Sequence, residues 1–394
     1  MRTVTIVGAS LAGLYAATAL RSQGYDGRLV IVGDERHAPY DRPPLSKNFL
    51  TGAAVEHQLA LADAQDTDEL AAEWLLGTRA RALDPAGGAV HLEDGSAVPT
   101  DGVVIATGAS PRTLPGPRLA GVHTLRTLND AYALKASLSR GQARVVVIGA
   151  GFIGAEVASS CSSLGHHVTV IEAARQPLSP QLGEEMAGHC TALHADHGVT
   201  LLTGTGVAAL HGDGSGPGGA GGRVAWVELD NGRMLPADVV VVGIGVRPNT
   251  DWLEGSGLTV EDGVLCDAGC VTALPNVVAV GDVARVSGVR SEHWTSASQQ
   301  PETAVRNLLA GGTVETHSGL PYFWSDQYGV RIQFAGRRES GDQVRVVEGS
   351  PDDRSFLAVY EREERTTAVL ALNRPRPFTR LRRQLAGAAL PATA

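Results

Sequence analysis

The chain has 394 residues, 43% of them hydrophobic and 19% charged, enough to bury the cores of two or three compact domains. Forty-two acidic against 33 basic side chains leave a formal charge of −9, which argues against binding to a phosphate backbone. Four cysteines cannot staple a chain of this length, and no apolar run reaches the roughly 18 residues of a membrane span.

The first element is Thr3–Val7, a β-branched run of the kind buried in a parallel sheet. Gly8-Ala-Ser-Leu-Ala-Gly13 follows, then an apolar helix pattern to Leu20 and a second strand, Leu29–Val32, closed by Gly33-Asp34-Glu35. A strand, a glycine turn, a helix and a strand ending at an acid form the dinucleotide-binding fingerprint, with Ser10 in place of the usual second glycine. A small hydroxyl is tolerable there and is itself able to bond a phosphate. The stretch Val4–Leu20 is interrupted by Gly8 and Gly13 and preceded only by Arg2, so a dinucleotide fold explains it better than a secretion signal does. The cytoplasm is the expected compartment, and its reducing conditions suit the sparse cysteines.

The same pattern returns 141 residues later. Arg144–Ile148 runs into Gly149-Ala-Gly-Phe-Ile-Gly154, a helix, and the strand Val168–Ile171 ending at Glu172. One glycine motif is weak evidence; two copies, each in its full strand–helix–strand context, are strong. Between them Asp101–Gly108 reads as a strand entering a Thr-Gly turn. After the second copy come Ala237–Gly245, another strand into glycines, and Arg247-Pro248-Asn249. Thr272–Asp282 reads as a buried strand, so Asp282 falls at its carboxyl end, where open α/β sheets bind ligands. The stretch Gly212–Gly222 is a flexible glycine-rich loop with no chemistry to read. From about Gly319 the texture changes to an aromatic segment, Pro321–Gly329, alternating strands such as Val344–Val347 and Phe356–Tyr360, and a basic helix over Phe378–Leu385. The expected fold is α/β, with two Rossmann-like three-layer dinucleotide-binding domains and a small C-terminal α+β domain.

These residues together resemble the FAD- and NAD-dependent ferredoxin reductases that serve oxygenases, within the glutathione-reductase-like flavoprotein fold. The resemblance rests on both glycine motifs, Ala106-Thr107-Gly108, Gly281-Asp282, and above all Pro39-Tyr-Asp-Arg-Pro-Pro-Leu-Ser-Lys47 and Pro321-Tyr-Phe-Trp-Ser-Asp326. It implies an FAD-binding domain over 1–113 and 241–318, an NAD-binding domain over 114–240 and a C-terminal domain over 319–394.

For FAD the resemblance implies contacts from Gly8, Ser10, Leu11, Ala12 and Gly13, with Asp34 or Glu35 on the adenosine ribose. It adds Arg42, Lys47, Ala80, Ala106, Thr107, Gly108, Arg126, Gly281, Asp282, His293 and Trp294. For NADH it implies Gly149, Gly151, Phe152, Ile153, Gly154, Gly243, Ile244 and Gly245. Glu172 stands where a carboxylate accepts bonds from ribose hydroxyls and repels a 2′-phosphate, so NADH is expected over NADPH, although Arg175 lies three residues on. Lys47 and Glu156 are expected to pair near the nicotinamide and are the candidate catalytic residues. Only Lys47 and Lys135 are lysines in an otherwise arginine-based chain, which singles out Lys47 further.

The segment that carries redox cysteines in the disulfide reductases of this fold reads Pro39–Lys47 here, without cysteine. Cys266 and Cys270 are expected on a surface turn, Cys161 and Cys190 inside helices, and no metal site is expected. The implied activity is therefore hydride transfer from NADH to FAD, then single electrons to an iron–sulfur ferredoxin of the 2Fe–2S kind. The expected chain is a monomer or weak homodimer with no nucleic-acid or membrane partner. Residues 319–394 carry +3 while the rest carries −12, so an acidic ferredoxin is expected near Arg306, Arg331, Arg337 and Arg338. Two alternatives stay open: a redox-sensing interaction protein of the apoptosis-inducing-factor type, and a flavin NADH oxidase.

Overall fold

The computed structural model describes residues 1–215 and 222–387, so residues 216–221 of the expected glycine-rich loop lie outside the described residues. The chain forms two compact units: Met1–Asp41 with Leu59–Ser110 and Arg247–Pro321, and Arg42–Gln58 with Pro111–Val246 and Tyr322–Ala394.

In the first unit Val277–Ala279, Gly102–Ile105, Thr3–Val7, Arg28–Gly33 and Ala72–Leu76 lie side by side in that order, every neighbour parallel. Covered on both faces, Thr3–Val7 is buried along nearly its whole length rather than at alternate residues. Val4 and Ile6 pack with residues of the helices Leu11–Ser22 and Trp294–Ala310, while Val7, Val30 and Val103 pack on an antiparallel meander, Ala80–Asp84, Ala89–Leu92 and Ala97–Pro99. Ala12, Gly13, Ala16 and Ala17 are buried on the helix, and their small size lets it lie close to the sheet.

The second unit repeats this construction. Thr200–Thr203, His167–Glu172, Arg144–Ile148, Val239–Val242 and Val122–His123 form a second all-parallel sheet in that order. Helix Phe152–Ser163 packs on this sheet, and Val146, Ile148 and Val240 meet a meander of Val207–Gly212, Val224–Leu229 and Met234–Pro236. The same unit holds an antiparallel sheet ordered Tyr322–Gln327, Val330–Gly336, Arg365–Leu372, Ser355–Arg362, Gln343–Ser350. Phe334, Phe356 and Tyr360 of that sheet pack with Met186, Cys190 and Leu193 of helix Glu184–Asp196, and helix Pro375–Gly387 lies on the strands Val330–Gly336 and Arg365–Leu372. The α/β fold class expected from the sequence is the one observed.

Two local expectations are corrected. The strand expected over Thr272–Asp282 is only Val277–Ala279, because Thr272 Oγ1 bonds the Leu274 and Val277 carbonyls and folds Thr272–Asn276 into a turn. Cys266 and Cys270 are not on a surface turn: both are buried, Cys270 completely, in the hydrophobic clusters around the first sheet.

Candidate functional site

The first glycine motif is dictated by backbone crowding. A Cβ on Gly8, whose φ is +121°, would lie 2.0 Å from the Ala106 carbonyl oxygen, and one on Gly13 would lie 1.8 Å from the Gly8 carbonyl. Strand, loop and helix are thus packed backbone to backbone around the start of helix Leu11–Ser22. Ser10 caps that helix at φ −108°, an ordinary extended conformation, which is why serine is admitted where the fingerprint usually has glycine. Gly281, at φ +73°, lies against Ala12, and its amide donates to Gln300 Oε1 at 2.8 Å. Thr107 is locked by Asn249, whose amide group donates to its carbonyl and whose carbonyl accepts from its hydroxyl, both at 2.8 Å. The result is a cradle lined by backbone at the carboxyl ends of parallel strands, next to a helix N-terminus. That is the chemistry a dinucleotide pyrophosphate requires, so these residues fit FAD.

The second motif has the same crowding. Gly149, at φ +104°, would put a Cβ 2.2 Å from the Gly243 carbonyl, and Gly154 would put one 2.0 Å from the Gly149 carbonyl. Gly151 differs: its φ is −71° and a Cβ there meets nothing within 4 Å, so packing does not demand glycine and the space beside it is open. Glu172 Oε2 accepts the Ala150 amide and Oε1 the Ala174 amide, each at 2.8 Å. The carboxylate expected to read the ribose also braces the glycine loop. Ile153 and Ile244 are exposed, and Gly245 turns at φ +91°.

The two motifs differ in where the acid sits. Gly8 donates to the Val32 carbonyl and Gly149 to the Ile171 carbonyl, so Gly33 occupies the position of Glu172. A Cβ on Gly33 would be 2.5 Å from that of Ala9, leaving no room for a side chain, and the acids come one and two residues later. Asp34 pairs with Arg79 at 3.2 Å on the surface, and Glu35 accepts the Tyr40 hydroxyl at 2.6 Å.

The third cluster lies within the second unit. Two prolines open the short turn Pro43–Ser46, which ends at Lys47. Lys47 Nζ donates to Glu156 Oε2 at 2.7 Å, with 15% and 6% of the two side chains exposed. Ser46 Oγ donates to the same oxygen at 2.5 Å, and Ser325 Oγ donates to Glu156 Oε1 at 2.6 Å. Arg42 donates to the Arg126 carbonyl at 2.8 Å, just before the Thr127–Asp130 capping box that opens helix Leu128–Leu138. From that helix Lys135 Nζ donates to the Phe49 carbonyl at 3.2 Å and sits over the Phe49 ring, so both lysines of the chain serve the stretch 47–49.

The remaining expected residues fall in the first unit. Trp294 Nε1 donates to Asp41 Oδ1 at 2.9 Å, tying it to the Pro39–Lys47 motif, and its ring meets Tyr15 edge-on. His293 caps the same helix and burial holds its imidazole below the usual range. Asp282 lies in the turn Gly281–Val283, and Ala80 is buried at the head of a meander strand. Arg42, Lys47 and Arg126, expected with FAD, belong to the same compact unit as the NADH residues.

Sequence reasoning missed Ser46 and Ser325 as partners of Glu156, Gln327 as partner of Ser325, Asp41 as partner of Trp294, and Asn249 and Gln300 as braces. Four of the six lie in or beside motifs already singled out, and Asn249 ends Arg247-Pro248-Asn249; Gln300 carries no local signal. None of the four cysteines forms a disulfide. Desolvation pushes the thiols of Cys161, Cys190 and Cys266 up to about 12 and Cys270 higher, so none supplies a thiolate. Among the described residues no cluster of three or more His, Cys, Asp or Glu is arranged to hold a metal, and no helix is long and apolar enough to cross a membrane.

Of the arginines expected to meet a partner, Arg306 is paired with Glu315 at 2.9 Å, Arg331 lies 3.7 Å from Asp326, and Arg338 donates to the Pro180 carbonyl. Arg337 is exposed and has no ion pair among the described residues.

Comparison with known proteins finds related chains over nearly the whole length. The model of the pyridine nucleotide-disulphide oxidoreductase family matches residues 2–301, and a reductase C-terminal model matches 322–394. The anthranilate 1,2-dioxygenase system ferredoxin–NAD(+) reductase component of Burkholderia cepacia is 40% identical, covering 98% of this chain and 94% of that protein. Rhodocoxin reductase of Rhodococcus erythropolis is 37% identical, covering 98% and 89%. Among solved structures, the covalent putidaredoxin reductase–putidaredoxin complex superposes with a TM-score of 0.90 at 33% identity, covering 99% of this chain and 94% of that one.

Proposed function

The chain belongs to the pyridine nucleotide-disulphide oxidoreductase family, and on that premise we infer that it is an NADH-dependent ferredoxin reductase. The overall reaction takes NADH and two oxidised ferredoxins to NAD+, two reduced ferredoxins and a proton. FAD, when bound, supplies the conversion between a two-electron hydride donor and a one-electron acceptor. In this reading residues 1–113 and 241–318 hold FAD, 114–240 hold NADH, and 319–394 form the third domain.

The observation that carries the reading is the pair of glycine cradles, each crowded to backbone contact and each followed by a carboxylate. Gly8, Gly13, Ala106 and Gly281 hold the FAD pyrophosphate side, with Asp34 or Glu35 at the ribose. Gly149, Gly151 and Gly154 receive NADH, and Glu172 orients its ribose while excluding a 2′-phosphate. Glu156 holds the Lys47 ammonium in one place, so that a fixed positive charge stands where the nicotinamide is positioned, and the chain contributes orientation rather than general acid–base work. With no thiolate available, electrons leave to an external acceptor. We assign that acceptor as a 2Fe–2S ferredoxin steered in part by Arg337, the chain as a monomer or weak homodimer, and its place as the cytoplasm.

The test is anaerobic reduction of cytochrome c by NADH with and without a 2Fe–2S ferredoxin. Ferredoxin-dependent turnover that weakens with rising salt is expected. In a parallel assay in air, rapid oxygen consumption without ferredoxin would instead identify an oxidase, and slow turnover with every acceptor a redox sensor.

A further inference from the structure

The third domain is more than an appendage to the nicotinamide region, because one strand of it runs along the helix that carries Glu156. Within this unit Phe323 meets Phe152 with ring centroids 4.8 Å apart, Ser325 donates to Glu156, and the Tyr328 amide donates to Ser159 Oγ at 2.7 Å. Residues 152, 156 and 159 lie on one face of helix Phe152–Ser163, at the spacing of successive turns. The strand Tyr322–Gln327 and the residue after it thus match that face position by position. Ser325 is fully buried and Gln327 is 2% exposed, so neither hydroxyl nor amide has water as an alternative partner.

The direction of these bonds is set by chemistry. Gln327 Nε2 donates to Ser325 Oγ at 2.9 Å, leaving the serine hydroxyl its own proton to give, and it gives that proton to Glu156 Oε1 at 2.6 Å. Glu156 Oε2 meanwhile takes Lys47 and Ser46. One oxygen is therefore held by the third domain and the other by the Pro39–Lys47 motif, which fixes the plane of the carboxylate. We propose that Ser325, oriented by Gln327, is a positioning residue: it turns the Glu156 carboxylate so that Oε2 faces Lys47, and through it places the Lys47 ammonium for NADH. This rests on the ferredoxin-reductase reading for its catalytic consequence, but not for the contact itself.

The test uses the full-length holoprotein with Ser325→Ala and Gln327→Met. Two readouts are taken. The first is acylation of Lys47 by an amine-reactive acetyl ester, quantified by mass spectrometry against Lys135; with only two lysines in the chain, each is an unambiguous signal and Lys135 is the internal reference. The second is anaerobic stopped-flow, separating flavin reduction by NADH from reoxidation of reduced enzyme by ferricyanide. Expected for Ser325→Ala are Lys47 acylation several-fold faster relative to Lys135, and flavin reduction slower by roughly tenfold, the worth of one charge-assisted hydrogen bond, with reoxidation unchanged. Gln327→Met, which leaves the hydroxyl but removes the amide donor that orients it, is expected to show the same pattern at smaller amplitude. Unchanged Lys47 acylation overturns the proposal, and so does an equal slowing of both half-reactions with loss of FAD and a lower melting temperature, which would make Ser325 a packing residue only. If the unmodified protein fails to oxidise NADH at all, the ferredoxin-reductase reading falls while the acylation ratio still decides the contact.

Discussion

Replacing Lys47 by Met removes the ammonium while keeping most of the side-chain volume, and leaves Glu156 with the Ser46 and Ser325 hydroxyls. Deleting one partner of a fully buried ion pair costs about 3–5 kcal/mol. Here 15% of the Lys47 side chain is exposed and two donors remain on the carboxylate, so the loss should be smaller, about 2 kcal/mol. If that energy is used to place NADH, flavin reduction should slow roughly thirtyfold. Reoxidation of already reduced enzyme by ferricyanide should be nearly unaffected, because it does not need the nicotinamide. The companion variants are Glu156→Gln and the double variant. In a pair that acts as a unit the double variant should be little slower than Lys47→Met alone, giving a coupling of about 1.5 kcal/mol. Stopped-flow absorbance of the flavin gives each rate. Multiplicative effects in the double variant, or equal slowing of both half-reactions, would refute the idea that the two side chains act together on hydride delivery. Loss of flavin absorbance from Lys47→Met would mean that Lys47 retains the cofactor instead.

Glu172→Arg should raise KM for NADH and lower it for NADPH. It should also lower kcat with both, because the Ala150 and Ala174 amides lose their acceptor; a specificity ratio that barely moves would shift attention to Arg175. Gly8→Ala should purify without flavin, since its Cβ would overlap the Ala106 carbonyl, whereas Gly151→Ala should fold with normal melting temperature and flavin content yet bind NADH more weakly. Normal NADH affinity in Gly151→Ala would count against a ligand in that space. His194 is buried against the Tyr328 hydroxyl at 2.8 Å, and desolvation pushes its imidazole down to about 4. The unfolded chain binds that proton near pH 6.5 and the folded chain does not. Stability should therefore fall as pH drops from about 6.5 toward 4, by about 3 kcal/mol in all, and His194→Gln should flatten that limb of a pH–melting curve.

What the amino-acid order determined was local and repetitive. The β-branched runs Thr3–Val7 and Arg144–Ile148, each followed by glycines and a helix, specify a buried parallel strand with a crossover. No other arrangement satisfies a two-sided apolar strand feeding an amphipathic helix. The duplicated fingerprint therefore made the fold class, both glycine cradles and the Glu172 position legible in advance. The pairing of Lys47 with Glu156 was legible only through resemblance, since 109 residues separate them and no periodicity links a proline-rich turn to a helix face. Tertiary structure alone decided the rest. Thr272–Asn276 reads as strand until the Thr272 hydroxyl is seen closing a turn. Cys266 and Cys270 read as surface until the first sheet is seen packed over them. Glu156 reads as an ordinary acid in the first turns of its helix until the strand Tyr322–Gln327 brings Ser325 to its second oxygen. Hydrophobic period and turn chemistry act between neighbours in sequence and can be read from it. The partner of a buried polar atom is set by which distant backbone arrives beside it, and that is fixed only when the whole core has closed.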